Sequence, residues 1–242
     1  MRKGFAVNLK DHIQVNDGFA AALPDSYCFL CAGACEGREA ICVDCLNDLA
    51  FNVDACPACA KPNATSGMCA NCLIRPHAYI DSVWALFRYH YPVNYLIQQM
   101  KFKQGFDLST YLGGMLSDLF LNNGAAPPDC IMPVPLHISR LISRGYNQSA
   151  ELARPLSKQL SVKLDTAACE RIRATIPQTD LPAKKRKKNV HNAFSITERV
   201  PYNHVLLVDD VITTGSTVNE LALTLHHAGV KKIDVLACAR AG

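Results

Sequence analysis

One stretch near the C-terminal end restricts the fold more than any other. Val205-Leu-Leu-Val208 runs into Asp209-Asp210 and then into Val211-Ile212-Thr213-Thr214-Gly215-Ser216-Thr217. Four consecutive apolar residues suit a strand buried on both faces, as in a parallel sheet covered by helices. The carboxylate pair then stands at the strand's carboxyl end, the edge where open α/β sheets bind ligands. Downstream, Val218, Leu221, Ala222 and Leu225 recur at helical spacing, so the turn leads into a helix N-terminus. Backbone N–H groups of Thr214 to Thr217, the hydroxyls beside them and the positive end of the helix dipole together suit a phosphate. Gly215 supplies the positive-φ freedom that such a turn needs. The stretch reads as a site for a phosphorylated sugar. A pair that merely caps a helix is disfavoured, because adjacent aspartates at a buried strand's end repel each other unless a ligand or cation holds them. A Walker A loop is excluded, since its first Gly and its Lys are both missing.

The rest of the C-terminal two thirds fits the same sheet. Val83, Ala85, Phe87 and Tyr89 alternate as a strand, and Val93 to Lys103 reads as a helix with Lys101 and Lys103 at its end. Leu108, Tyr111, Leu112, Met115, Leu116 and Leu119 mark an amphipathic helix. Asn122 to Pro128 is a loop, Cys130 to Pro135 a short strand ended by prolines, and Ser149 to Leu160 a helix behind it. Lys232 to Ala239 supplies a last strand after a helix ended by His226-His227-Ala228-Gly229. Strands alternating with helices indicate a parallel α/β sheet.

The first third is organised by cysteine. Eight of the twelve cysteines form four CxxC pairs: Cys28/Cys31, Cys42/Cys45, Cys56/Cys59 and Cys69/Cys72. Reduced thiols in that pattern suit structural zinc, two CxxC turns completing each four-thiolate site and leaving no open position for water. Spacing leaves the pairing, and a count of one or two ions, open. Neighbouring pairs are favoured, Cys28/Cys31 with Cys42/Cys45 and Cys56/Cys59 with Cys69/Cys72. Cys35 lies outside the pattern, and Cys130, Cys169 and Cys238 read as small core residues.

Composition excludes several classes. With 49% hydrophobic and 19% charged residues the chain is a folded protein rather than a disordered one. No apolar run approaches the roughly 18 residues of a membrane span. After Arg2 and Lys3, the residues Asn8, Lys10, Asp11 and His12 interrupt any secretory signal, so a cytoplasmic protein is expected. Charge is uneven, and most of the basic excess lies between Arg171 and His191. There Arg171, Arg173 and Lys184-Lys185-Arg186-Lys187-Lys188 face a single acid, Asp180. A solvated loop and a polyanion-binding segment both suit such a run.

VLLVDDVITTGST resembles the 5-phosphoribosyl-1-pyrophosphate (PRPP) motif of type I phosphoribosyltransferases. PVPLHISRLISRGYNQS (Pro133 to Ser149), RIRATIPQTDL (Arg171 to Leu181), the basic run with Asn189 and the four CxxC pairs complete a wider pattern. By these motifs the chain is identified as a member of the ComF/GntX family from about Tyr27 to Arg240, with RGYNQ where RGFNQ is common. The resemblance implies an N-terminal extension (1–26), a zinc-ribbon module (27–76) and a type I phosphoribosyltransferase-like domain (77–242). It also implies an association with natural competence, the uptake and use of external DNA.

By position in that family fold, Asp209 and Asp210 serve the ribose hydroxyls and water-mediated Mg²⁺ contacts, and Thr213 to Thr217 cradle the 5-phosphate. Pro133, Val134 and Pro135 occupy the pyrophosphate loop, with Arg140 and Arg144 behind them as candidates for the diphosphate. The segment from Arg171 to Asn189 corresponds to a mobile loop that closes over PRPP, with Gln178, Arg186 and Asn189 as contacts. Two functions are therefore carried forward. One is an enzyme transferring phosphoribose from Mg-PRPP to an unidentified acceptor. The other is a non-catalytic competence factor that binds single-stranded DNA through Lys184 to Lys188 or senses PRPP, with the zinc module free to bind competence partners. Phe194 and Tyr202 flank the basic run as possible base-stacking rings or as core.

Overall fold

The computed structural model describes residues 26–37, 39–63, 67–101, 106–174 and 190–242. Its strands are β1 (Ser82–Arg88), β2 (Cys130–Pro133), β3 (Lys163–Leu164), β4 (Cys169–Arg171), β5 (Phe194–Ile196), β6 (His204–Ile212) and β7 (Lys232–Arg240). The helices are α1 (Val43–Asn47), α2 (Ala70–Ile74), α3 (Val93–Gln99), α4 (Phe106–Asn122), α5 (Ile138–Arg144), α6 (Gln148–Leu160) and α7 (Ser216–His227). Five strands form one parallel sheet in the order β1-β7-β6-β2-β3, while β4 and β5 pair as a separate antiparallel ribbon.

Period-two alternation divides the apolar strand residues between two helical layers. Leu206, Val208, Leu236 and Cys238 face α4 and α6, whereas Val205, Leu207, Val235 and Ala237 face α7. The apolar run of β6 is thus buried on both faces, as the sequence leads one to expect. Cys130, Cys169 and Cys238 are all buried.

Boundaries differ at three places. β6 does not stop before the acidic pair, because Val211 and Ile212 continue the ladder against Ala239 and Arg240 of β7. The helix α3 ends at Gln99 instead of Lys103, with Met100 as its C-cap. The Met100 side chain is fully buried and its carbonyl accepts the Tyr146 hydroxyl, which satisfies one of the carbonyls a helix end leaves open. Lys103 lies outside the described residues. Finally, β1 buries Leu86 as well as Val83, Ala85 and Phe87, since the cysteine-rich segment covers its outer edge. Asn52 N–H bonds Leu86 O, and Arg88 N–H and Val83 N–H bond Ala50 O and Pro57 O, all at 2.9 Å. Phe51 packs on Phe87 with ring centroids 4.9 Å apart. An open sheet edge is thereby closed.

The α4–α6 contact is close enough to demand a missing side chain. A Cβ at Gly113 would stand 2.6 Å from the Leu152 carbonyl oxygen and 2.9 Å from Cγ of Pro155. Gly113→Ala is expected to destabilise the protein by about 1–3 kcal/mol through overpacking, although alanine is the better helix former. Denaturant titration checks this, and an unchanged midpoint would remove the close contact as its cause.

Candidate functional site

The two four-cysteine groups assemble from neighbouring pairs. Cys28, Cys31, Cys42 and Cys45 form one and Cys56, Cys59, Cys69 and Cys72 the other, each with all Sγ atoms within 4.8 Å of one another. Across the pairs, Cys31 Sγ lies 3.7 Å from Cys42 Sγ and Cys59 Sγ 3.8 Å from Cys69 Sγ. A tetrahedron of sulfurs about 2.3 Å from a central zinc has edges of about 3.8 Å, so both groups fit that ion. The local sequence is reused in each. The first CxxC sits on a turn whose Ala32 or Ala60 takes positive φ, and the second begins a short helix, with Cys42 at the N-cap of α1 and Cys69 at that of α2. Leu30 N–H and Gly33 N–H point at Cys28 and Cys31 sulfur, both at 3.4 Å, and Cys69 N–H at Cys56 sulfur at 3.3 Å. Cys35 stays outside the group, and burial, followed by the Cys28 and Cys42 thiolates, pushes its thiol up to about 11.

At the carboxyl edge of the sheet, the turn after β6 has the expected form. Gly215 takes φ +79 as the N-cap of α7. Its carbonyl accepts Asn219 Nδ2 at 2.7 Å, and the Thr214 and Ser216 hydroxyls meet at 2.8 Å. Thr213, Ser216 and Thr217 are half-buried and Thr214 is exposed. Pro133 ends β2 beside Val208, and Val134 N–H continues the ladder to Val208 O at 2.9 Å. Asn147 Nδ2 holds the Val134 carbonyl at 3.0 Å, leading the chain through Pro135 into α5.

Asp209 and Asp210 lie between these two loops. Asp209 is buried and accepts the Ser149 hydroxyl at 3.2 Å and the Asp210 N–H at 2.9 Å. Burial, and behind it the Asp210 carboxylate, holds the Asp209 carboxyl well above the usual carboxylate range. Arginines gather on the β2 side. Arg144, bonded to Gln148 at 2.5 Å, is in the field of Asp210 and of Arg140; Arg171 feels Arg140 and Asp209. Burial is the first cause that lowers the pKa of both Arg144 and Arg171. Arg171 comes to this edge because β4 runs beside the β2–α5 connection, where His137 bridges to it.

Two cavities flank the edge. One, of about 510 Å³, is lined by Pro133, Pro135, Tyr146, Asn147 and Arg171 among others. The second, of about 620 Å³, lies on the β7 side between the Gly215 turn and the second cysteine group, with Lys61, His77, Tyr89, Thr213, Asn219 and Arg240 in its wall.

Sequence reasoning missed Ser149, Tyr89, His77, Asn219 and Arg240 as members of this edge. The last residues of β1 and β7 were its best available signal, because parallel strands deliver their carboxyl ends to one side. Phe194 and Tyr202 prove to be structural: Phe194 is buried under Arg171, and the Tyr202 hydroxyl donates to Asp165 at 2.8 Å. Gln178 and the Lys184 to Asn189 segment lie outside the described residues, so the proposed loop and DNA contacts of Lys184, Lys185, Arg186, Lys187, Lys188 and Asn189 have no geometry here.

A parallel sheet with an acidic pair and a glycine turn at one edge, joined to two four-cysteine sites, defines a phosphoribosyltransferase-like α/β protein with a double zinc ribbon. The family model described as the phosphoribosyl transferase domain matches residues 146–241. The DNA utilization protein YhgH of Escherichia coli is 36% identical over 219 residues, covering 88% of this chain and 96% of that protein. Competence protein F of Haemophilus influenzae is 38% identical over 180 residues, 72% of this chain and 78% of that one. Competence protein ComFC of Streptococcus pneumoniae is 24% identical over 208 residues, 83% of this chain and 87% of that protein. The chain belongs to the ComF/GntX family. Among the described residues no helix is long and apolar enough to cross a membrane.

Proposed function

We propose that this protein binds Mg-PRPP at the β6 edge and transfers its phosphoribosyl group to an acceptor, acting in the cytoplasm in the use of incoming DNA. The observation that carries this reading is the arrangement of Asp209, Asp210 and the Gly215 turn between a cluster of arginines and an open cavity. Thr213 to Thr217 hold the 5-phosphate through backbone N–H groups and hydroxyls at the start of α7. Asp209 and Asp210 accept the ribose hydroxyls and the waters of a hard cation, which keeps most of its hydration when carboxylates hold it. Magnesium, when bound, neutralises the diphosphate. Arg140, Arg144 and Arg171, on the β2 side, stabilise the negative charge that grows on departing pyrophosphate. The acceptor then approaches C1′ from the β7 side, where the cavity of about 620 Å³ lies. The relatives' names, a DNA utilization protein and competence proteins, support the cellular setting.

A second reading, a non-catalytic competence factor that senses PRPP or holds single-stranded DNA, is favoured by the basic run Lys184 to Lys188. Titration calorimetry with PRPP separates the two. Saturable binding that needs Mg²⁺ is expected, and Asp210→Asn should weaken it by about 10–150-fold, the worth of one hydrogen bond to a charged group. Single-stranded DNA binding, if held by the basic run, should fall steeply with salt and be unchanged in Asp210→Asn. No Mg²⁺-dependent PRPP binding would overturn the transferase reading.

A further inference from the structure

Arg240, the last residue of β7, is 3% exposed, and among the described residues no carboxylate lies within ion-pair distance of it. Its guanidinium is spent on carbonyls. Nε donates to Cys59 O at 2.7 Å, and Nη1 donates to Ile212 O at 3.0 Å, to Ala241 O at 2.5 Å and to Thr213 O. One side chain therefore ties a knuckle of the second cysteine group to the two residues through which β6 enters the phosphate turn.

A buried guanidinium without a counter-charge is costly. The group that Arg240 faces is built of sulfur: its Nε bonds the carbonyl of Cys59, one of four cysteines whose Sγ atoms lie within 4.8 Å of one another. A divalent ion with four thiolates keeps a net negative charge, whereas four thiols are neutral. Metal loading at this group thus supplies the counter-charge that Arg240 otherwise lacks.

A second connection runs in parallel. Asn219 donates from Nδ2 to Gly215 O at 2.7 Å, which turns its Oδ1 toward His77. His77 Nδ1 lies 2.9 Å from that oxygen and so donates to it, and His77 shares one cavity wall with Cys59 and Arg240. Among the described residues the first cysteine group has no such link: Cys28 packs in the core on the α4 side of the sheet, while the turn's helix packs on the other face.

We propose that Arg240 is a positioning residue for the phosphate turn, with the metal-loaded Cys56/Cys59/Cys69/Cys72 group as its counter-ion, so that phosphate binding depends on a metal that never touches the phosphate. The binding arm of the test rests on the PRPP reading above; the backbone arm does not. Regional amide hydrogen exchange on the full chain, without PRPP, compares Arg240→Met and Cys69→Ser with the unaltered protein.

Exchange at Thr213 to Thr217 is expected to rise about 10-fold in both variants, with Cys130 to Met132 of β2 unchanged, as local opening requires. Arg240→Met should keep its full zinc content. Calorimetry with Mg²⁺ and PRPP should show at least about a 10-fold loss of affinity in the same variants, within the usual range of coupling between sites. Where Arg240→Met fails to fold, Arg240→Lys keeps the charge with fewer donors and the same comparison applies. Unchanged exchange at the turn, or an equal rise in β2, overturns the proposal. If the unaltered protein binds no PRPP, the functional reading fails and the exchange comparison alone decides this one.

Discussion

Replacing Cys45 with serine is expected to melt the sheet along with the zinc ribbon. The first cysteine group is part of the main core: Cys28, Cys35, Ala40, Ile41 and Leu49 share one buried cluster with Leu86, Phe87, Leu112 and Leu116. Segment 50–57 also supplies the hydrogen bonds that close the edge of β1. Zinc binding to sites of this kind contributes on the order of 10–16 kcal/mol, comparable to the whole stability of a domain at about 5–15 kcal/mol. Even the loss of a third of that contribution, about 5 kcal/mol, corresponds to a drop in Tm of about 10–20 °C for a chain of this size. Calorimetry should show one cooperative transition, displaced downward. Two transitions, with the upper one unmoved, would mean that the ribbon is a tethered appendage and that the shared cluster contributes nothing.

Asp209→Asn is expected to raise stability while removing function. Asp209 is buried against Asp210 and its folded pKa is raised, so the protonated form is the one the fold prefers. A carboxyl with a raised folded pKa favours folding fully only below its unfolded value near 4, and that contribution is lost as pH rises toward the folded value. The variant and the parent should therefore melt together below about pH 4 and diverge as pH rises, the variant being more stable at neutral pH. A gain of about 1–3 kcal/mol is expected, which amounts to about 2–4 °C for each kcal/mol. Asparagine keeps the acceptor for the Ser149 hydroxyl, so little is lost in exchange. Mg-PRPP affinity should fall by about 10–150-fold in the same protein. Melting curves that coincide from pH 4 to pH 8 would show that Asp209 carries no strain.

Much of this architecture was legible in the sequence because single residues carried single physical messages. Val205 to Val208 suited a doubly buried strand, and Gly215 marked the positive-φ turn before a helix. The CxxC pairs declared thiolate sites, and folding chose the neighbouring combination that spacing left open. What was hidden depends on chain segments far apart in sequence. Arg171 read as part of a basic loop, yet its position in β4 bridges it to His137 and brings it into the field of Asp209. Arg240 fell one residue past the strand read from Lys232 to Ala239, and nothing local tells that it bonds the Cys59 carbonyl. Ser149 stood within a recognised motif, but its bond to Asp209 appears only when α6 packs on β6.

The pairing of β1 with β7 has a consequence for how the protein is made. The first sheet strand to leave the ribosome finds its parallel partner in the last, with Ser82 opposite Asp234 and Arg88 opposite Arg240. Pairing over such a separation is slow, and exposed strand edges invite aggregation while it waits. The cysteine turns need only nearby residues and can bind metal early, covering the outer edge of β1. Its inner edge stays open until β7 has been made. Arg240 is made after every other strand of this sheet, so the turn at Gly215 waits for its anchor until β7 is complete.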